Sequence, residues 1–130
     1  MTDQVLLLLA DDELLVRLVM QETLEEGGFA VLQAVNGSTA MATLEERHGE
    51  ISAVITDIRL GSGPDGWALA HRARELNASV AVIYVTGDSA ADWPANGVPK
   101  SVVLQKPFAG AQLVTAVATL LNQAGGDATS

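Results

Sequence analysis

Short apolar runs of strand length alternate along this chain with longer amphipathic stretches, and most of the runs end on a polar residue. Residues 5–10 are almost wholly aliphatic, as a strand covered on both faces should be. Residues 13–26 then read as a helix. Its Leu14/Leu18, Leu15/Val19 and Met20/Leu24 pairs stand four apart and so share a face, and Gly27-Gly28 supplies the stop. A second strand is expected over 29–34. Asn36-Gly37-Ser38 turns into a helix reaching about Arg47, with Ser38 as N-cap and Ala40, Met41 and Leu44 facing inward. A third strand over 53–57 leads into the glycine-rich loop 61–66, a helix over 67–76 and a fourth strand over 80–85. Pro94, Gly97 and Pro99 leave room only for a short or distorted helix near 89–93. Val102–Gln105 is a fifth strand, and 109–122 a last helix striped by Leu113, Val117, Leu120 and Leu121. This organisation predicts one α/β domain over 1–123 and a disordered C-terminal tail over 124–130.

Five polar positions close these runs: Asp11 and Asp12 after the first strand, Asp57 after the third, Thr86 after the fourth and Lys106 after the fifth. In a parallel sheet all five gather on one rim, the edge where open α/β sheets bind ligands.

Composition narrows the function. The chain has 130 residues, is 48% hydrophobic but only 4% aromatic, and carries 16 acids against 7 Lys and Arg for a net charge of −9. Aliphatic side chains therefore fill the core. A surface this acidic is expected to avoid nucleic acid, since phosphate affinity comes from Lys and Arg displacing counterions. There is no cysteine, hence no disulfide or thiol chemistry. No basic leader opens the sequence, and no early apolar run approaches the roughly 20 residues of a membrane span, so a cytoplasmic protein without membrane contact is expected.

The ordered set of acidic pair, lone Asp, Thr and Lys-Pro-Phe resembles the bacterial response regulator receiver domain (CheY-like), in stand-alone single-domain form, over essentially the whole chain. Separations of 45 residues from Asp12 to Asp57, 29 to Thr86 and 20 to Lys106 suit one or two βα units between marks. The resemblance implies a flavodoxin-like, doubly wound, five-stranded parallel sheet in the order 2-1-3-4-5 with five flanking helices. It further implies Asp57 as the phosphoacceptor, Asp11 and Asp12 as metal-binding acids, Thr86 as the switch hydroxyl, Lys106 as the phosphoryl-binding cation and Pro107 as a cis-proline candidate. The chemistry agrees. Carboxylates a few ångströms apart repel by about 4 kcal/mol per pair at an effective dielectric near 20, so three of them need a counter-ion. Mg²⁺, or alternatively Mn²⁺, suits Asp12 and Asp57 directly and Asp11 directly or through water, and the family implies the Arg59 backbone carbonyl as a further ligand. Expected partners are a sensor histidine kinase or histidine phosphotransfer protein and a downstream protein target. The family's working surface, the fourth helix, fifth strand and fifth helix, presents Trp93, Lys100, Val103, Gln105 and Gln112 to that target or to a second copy in a homodimer.

Taken singly, these residues have plainer readings. Asp11 and Asp12 could be helix N-caps, Thr86-Gly87-Asp88-Ser89 an ordinary capped turn, His48 and His71 surface residues, and Trp67 and Trp93 packing residues. Three departures from the family pattern stand out. Val103 occupies the position of the usual aromatic, so the usual threonine-to-aromatic coupling cannot operate. Arg59 and Asp88, two residues after Asp57 and Thr86, could pair and shield the site to set phosphoryl lifetime. Prolines interrupt the fourth helix. The competing functions are a phosphate sink, a pseudo-receiver that binds partners without phosphorylation, and a haloacid-dehalogenase-type phosphatase. The last would want a second Asp two positions after Asp11, where Glu13 stands.

Overall fold

Consecutive aliphatic residues in an extended strand send alternate side chains to opposite faces, so an unbroken run needs cover on both. The computed structural model describes residues 4–129, with side chains for 4–123, and provides that cover. Five strands, β1 (Leu6–Ala10), β2 (Ala30–Ala34), β3 (Ile51–Asp57), β4 (Ala81–Thr86) and β5 (Val102–Gln105), form one parallel sheet in the order β2-β1-β3-β4-β5. The helices are α1 (Leu14–Glu26), α2 (Gly37–Arg47), α3 (Gly66–Leu76), α4 (Trp93–Asn96, led by a 3₁₀ turn over Ala90–Asp92) and α5 (Gly110–Thr129). This is the doubly wound, flavodoxin-like fold expected from the sequence. Among the described residues no helix is long and apolar enough to cross a membrane.

The core has two halves. Leu7 and Leu9 of β1 join Ile55, Ile83 and Val85 against Met20 and Leu24 of α1 and Leu113 and Val117 of α5. Leu8, Val54, Val82 and Tyr84 point the other way, to Leu44 of α2 and Leu69, Ala70 and Ala73 of α3. Each buried Leu or Ile contributes about 1.5–3 kcal/mol.

Four local details differ from or refine these expectations. First, α2 is capped by Asn36, whose side chain accepts from Thr39 N at 2.8 Å, not by Ser38, which lies inside the helix. Second, the Leu14/Leu18 and Leu15/Val19 pairs of α1 do not face the core. They are 57, 44, 76 and 64% exposed, in the order Leu14, Leu18, Leu15, Val19. The buried stripe is Met20 and Leu24 with half-buried Val16, accompanied by Arg17. Third, the short, distorted helix expected near 89–93 is the 3₁₀ turn over Ala90–Asp92, and a further four-residue α-helix, Trp93–Asn96, follows it. Fourth, α5 spans Gly110–Thr129, where a helix over 109–122 was expected; Ser130 lies outside the described residues. Gly125-Gly126 weakens a helix by only about 1 kcal/mol per residue, which need not end one already propagating.

The 61–66 loop is fixed by close backbone contacts. A Cβ on Gly66 would stand 2.1 Å from the Asp57 carbonyl oxygen, while the Gly66 N–H donates to Ile58 O at 2.8 Å. Only glycine lets α3 start this close to the end of β3. Asp65 then caps α3 by accepting from Ala68 N at 2.9 Å.

Candidate phosphoacceptor and metal site

The carboxyl ends of β1, β3, β4 and β5 bring Asp11, Asp12, Asp57, Thr86 and Lys106 to one rim of the sheet. Asp11 is fully buried and Asp57 is 8% exposed, whereas Asp12 and Glu13 reach into solvent. One carboxylate oxygen from each of Asp11, Asp12, Glu13 and Asp57 lies within 4.8 Å of the others. Glu13 is the member that sequence reasoning missed; its only signal was adjacency to the Asp-Asp pair.

Lys106 is the counterweight. Its Nζ donates to Asp11 Oδ2 and Asp57 Oδ2, each at 3.0 Å, and to Glu13 Oε1 at 3.3 Å. Burial opposes charge on this ammonium, but the hydrogen bonds to Asp11 and Asp57 outweigh it and hold Lys106 well above the ordinary lysine range. Burial pushes the Asp11 carboxyl up, against the lowering by the Glu13 amide and Lys106. One ammonium cannot balance four acids. The donor set is all oxygen and largely anionic, which fits a hard divalent cation, and the acidic cluster could hold one. A cavity of about 360 Å³ opens here, lined by Asp12, Glu13, Asp57, Arg59, Gly87 and Asp88.

The surrounding backbone sets these directions. Ile58 N donates to Asp57 Oδ1 at 2.6 Å, which leaves Oδ2 facing Lys106. Lys106 N donates to Thr86 O at 2.8 Å and ties the end of β5 to that of β4, and the Lys106–Pro107 bond is cis. Thr86 Oγ1 is fully buried and accepts from Ser89 N at 3.0 Å and Asp88 N at 3.3 Å. Arg59 Nη2 reaches Asp88 Oδ2 at 2.8 Å. The structure therefore brings together Asp11, Asp12, Asp57, Lys106, Arg59 and Asp88, while Thr86, fully buried, adjoins them through Lys106 N on its carbonyl and Asp88 N on its hydroxyl. Val103 does not join them: it pairs with Tyr84 on the neighbouring strand and packs against the α2/α3 half of the core.

An Asp at the tip of β3, an acidic cluster fit for a divalent cation and a lysine bridging the two define a phosphoaspartate-type site on a flavodoxin-like sheet. The model of the response regulator receiver domain family matches residues 7–118, and the chain belongs to that family. It is 32% identical over 117 residues to the response regulator receiver protein CpdR of Brucella abortus, covering 88% of this chain and 95% of that one. It is 33% identical over 119 residues to the sensor kinase CckA of the same organism, covering 89% of this chain but only 12% of the kinase. Among solved structures, a response regulator receiver protein from Sinorhizobium medicae superposes with a TM-score of 0.90 at 43% identity, over 94% of this chain and 98% of that one.

Proposed function

We propose that Asp57 accepts a phosphoryl group from a phosphohistidine on a sensor kinase or phosphotransfer protein, and that the modified domain then signals through protein contacts. The observation that carries this is the geometry at Asp57: one carboxylate oxygen held by Ile58 N, the other on the Lys106 ammonium, beside an open acidic cavity. In the transfer an Asp57 oxygen attacks phosphorus, and the bond to the donor imidazole breaks with its electron pair left on nitrogen. Lys106 follows the charge onto the phosphoryl oxygens, and Thr86 turns its hydroxyl to one of them. Asp11, Asp12 and Asp57, with the Arg59 carbonyl, would hold the cation. When bound, that cation, Mg²⁺ in this proposal and Mn²⁺ as its alternative, neutralises the acids and the incoming phosphate. A cytoplasmic setting goes with this donor chemistry.

The donor's docking face follows from exposure. Leu14, Leu15, Leu18 and Val19 form an uncovered apolar patch on α1, continuous with a groove of about 530 Å³ lined by Leu15, Val16, Val19, Met20, Lys106, Pro107 and Phe108. Patches of this kind mark interaction surfaces, and this one shares Lys106 with the phosphoacceptor pocket. An amphipathic helix carrying the phosphohistidine fits it. The α4, β5 and α5 face, where Gln105 is exposed, is the proposed contact for the downstream target or a second copy.

The test is labelling with acetyl phosphate and Mg²⁺, read by intact mass. One phosphoryl group should add to the wild type and none to Asp57→Ala, and excess chelator should abolish labelling. An adduct that persists in Asp57→Ala would sink the assignment.

A further inference from the structure

Arg17, on α1, is only 7% exposed. Buried cations are rare unless something specific holds them. Its Nη1 donates to the backbone carbonyl of Asp11 at 2.8 Å, and its Nε donates to Gln33 Oε1 at 2.9 Å. Gln33 in turn donates to Gln21, so the guanidinium is braced from β2 and from α1 itself. Both acceptors are neutral oxygens, which makes Arg17 a directional fork.

The group it grips is the start of the acidic turn. Asp11 is held at every polar atom: its N–H donates to Ala34 O at 3.2 Å, Oδ1 accepts from Glu13 N at 2.9 Å, Oδ2 accepts from Lys106, and its carbonyl takes Arg17. Asp11, Asp12 and Glu13 are consecutive and mutually repulsive, so a turn bearing them tends to splay until a cation gathers the carboxylates. A donor fixed to the carbonyl opposes that without entering the pocket.

We infer that Arg17 is a positioning residue of the metal pocket, anchoring the Asp11 carbonyl so that the acidic turn is preformed for a divalent cation and mechanically joined to α1. This rests on the metal-binding reading above. Outer groups that orient ligands are typically worth 10–100-fold in metal affinity. The sign is diagnostic: by charge alone, removing a cation near an acidic cluster should tighten Mg²⁺ binding, whereas loss of preorganisation should weaken it.

The experiment is calorimetric titration of the full chain with MgCl₂, paired with thermal melting. Arg17→Met should weaken Mg²⁺ binding about tenfold. Arg17→Lys, which keeps the charge but cannot hold both oxygens, should fall between Arg17→Met and wild type. Leu24→Ala, a core truncation on the same helix, should lower the melting temperature and leave Mg²⁺ affinity unchanged. Should Arg17→Met fail to fold, Gln33→Ala removes the brace alone and should still weaken binding. Unchanged or tighter Mg²⁺ binding in a folded Arg17→Met, or in Gln33→Ala where that variant stands in, overturns the inference. Absence of Mg²⁺ binding by the wild type would instead overturn the metal reading and this inference with it.

Discussion

Arg59 and Asp88 meet at 2.8 Å, joining the residues that follow two after Asp57 and two after Thr86. The bridge spans the lip of the acidic cavity, where water would approach an acyl phosphate on Asp57. Its two side chains are 76 and 54% exposed, and pairs that wet contribute no more than about 1 kcal/mol. Replacing both by Ala should therefore speed loss of phosphate by up to about fivefold, not by orders of magnitude. Decay of the labelled protein, followed by intact mass, checks this. An unchanged rate would mean that the pair is only a solvated surface bridge.

The strands and the polar residues that end them were legible because each rests on a short-range signal, whereas the strand order came only with the family resemblance. An aliphatic run buried on both faces has little alternative to a parallel strand, and the first polar residue beyond it must lie on the rim. The helices were less legible. On α1 apolar residues stand at 14, 15, 16, 18, 19, 20 and 24, so periodicity offers several stripes and only contact with the sheet selects Val16, Met20 and Leu24. Asn36 and Ser38 are both good caps, and backbone geometry chose the first. The roles of Glu13 and Arg17 depend on how α1 sits against β2 and Lys106, which no local pattern encodes.

The α1 patch makes a separable prediction. Leu15 is 76% exposed, so Leu15→Glu leaves the core intact but places a charge in the apolar groove. Phosphotransfer from a cognate phosphohistidine protein should fall at least tenfold, as expected where an interface anchor is worth 2 kcal/mol or more. Labelling by acetyl phosphate, which needs no docking helix, should stay within twofold of wild type. Equal loss from both donors would show damage to the pocket rather than to a docking face.

Tyr84 stands opposite Val103 in the β4–β5 register, fully buried, with its ring centroid 4.7 Å from that of Trp67. Its hydroxyl accepts from Val98 N at 3.2 Å, tying β4 to the loop before β5. Tyr84→Phe keeps the ring packing and leaves a buried N–H without its acceptor. It should cost about 1–3 kcal/mol in urea denaturation. A cost below about 0.5 kcal/mol would mean that the Val98 amide finds another partner.

The last prediction concerns how the pocket speaks to the rest of the domain when position 103 is not aromatic. Thr86 Oγ1 accepts from the N–H groups of Asp88 and Ser89, so its hydroxyl caps the turn after β4. A phosphoryl group on Asp57 asks the same oxygen to swing toward it, and the two amides then lose their acceptor. Such a cap is worth about 1 kcal/mol, or roughly fivefold in amide exchange. With beryllofluoride and Mg²⁺ standing in for the phosphoryl group, exchange at Asp88 and Ser89 should rise by about that factor, with smaller changes spreading along 87–105. Thr86→Ala should show the faster exchange beforehand and little further response, while Thr86→Ser, which keeps the hydroxyl, should behave as wild type. If protection changes stay confined to the neighbours of Asp57, Thr86 does not transmit the signal.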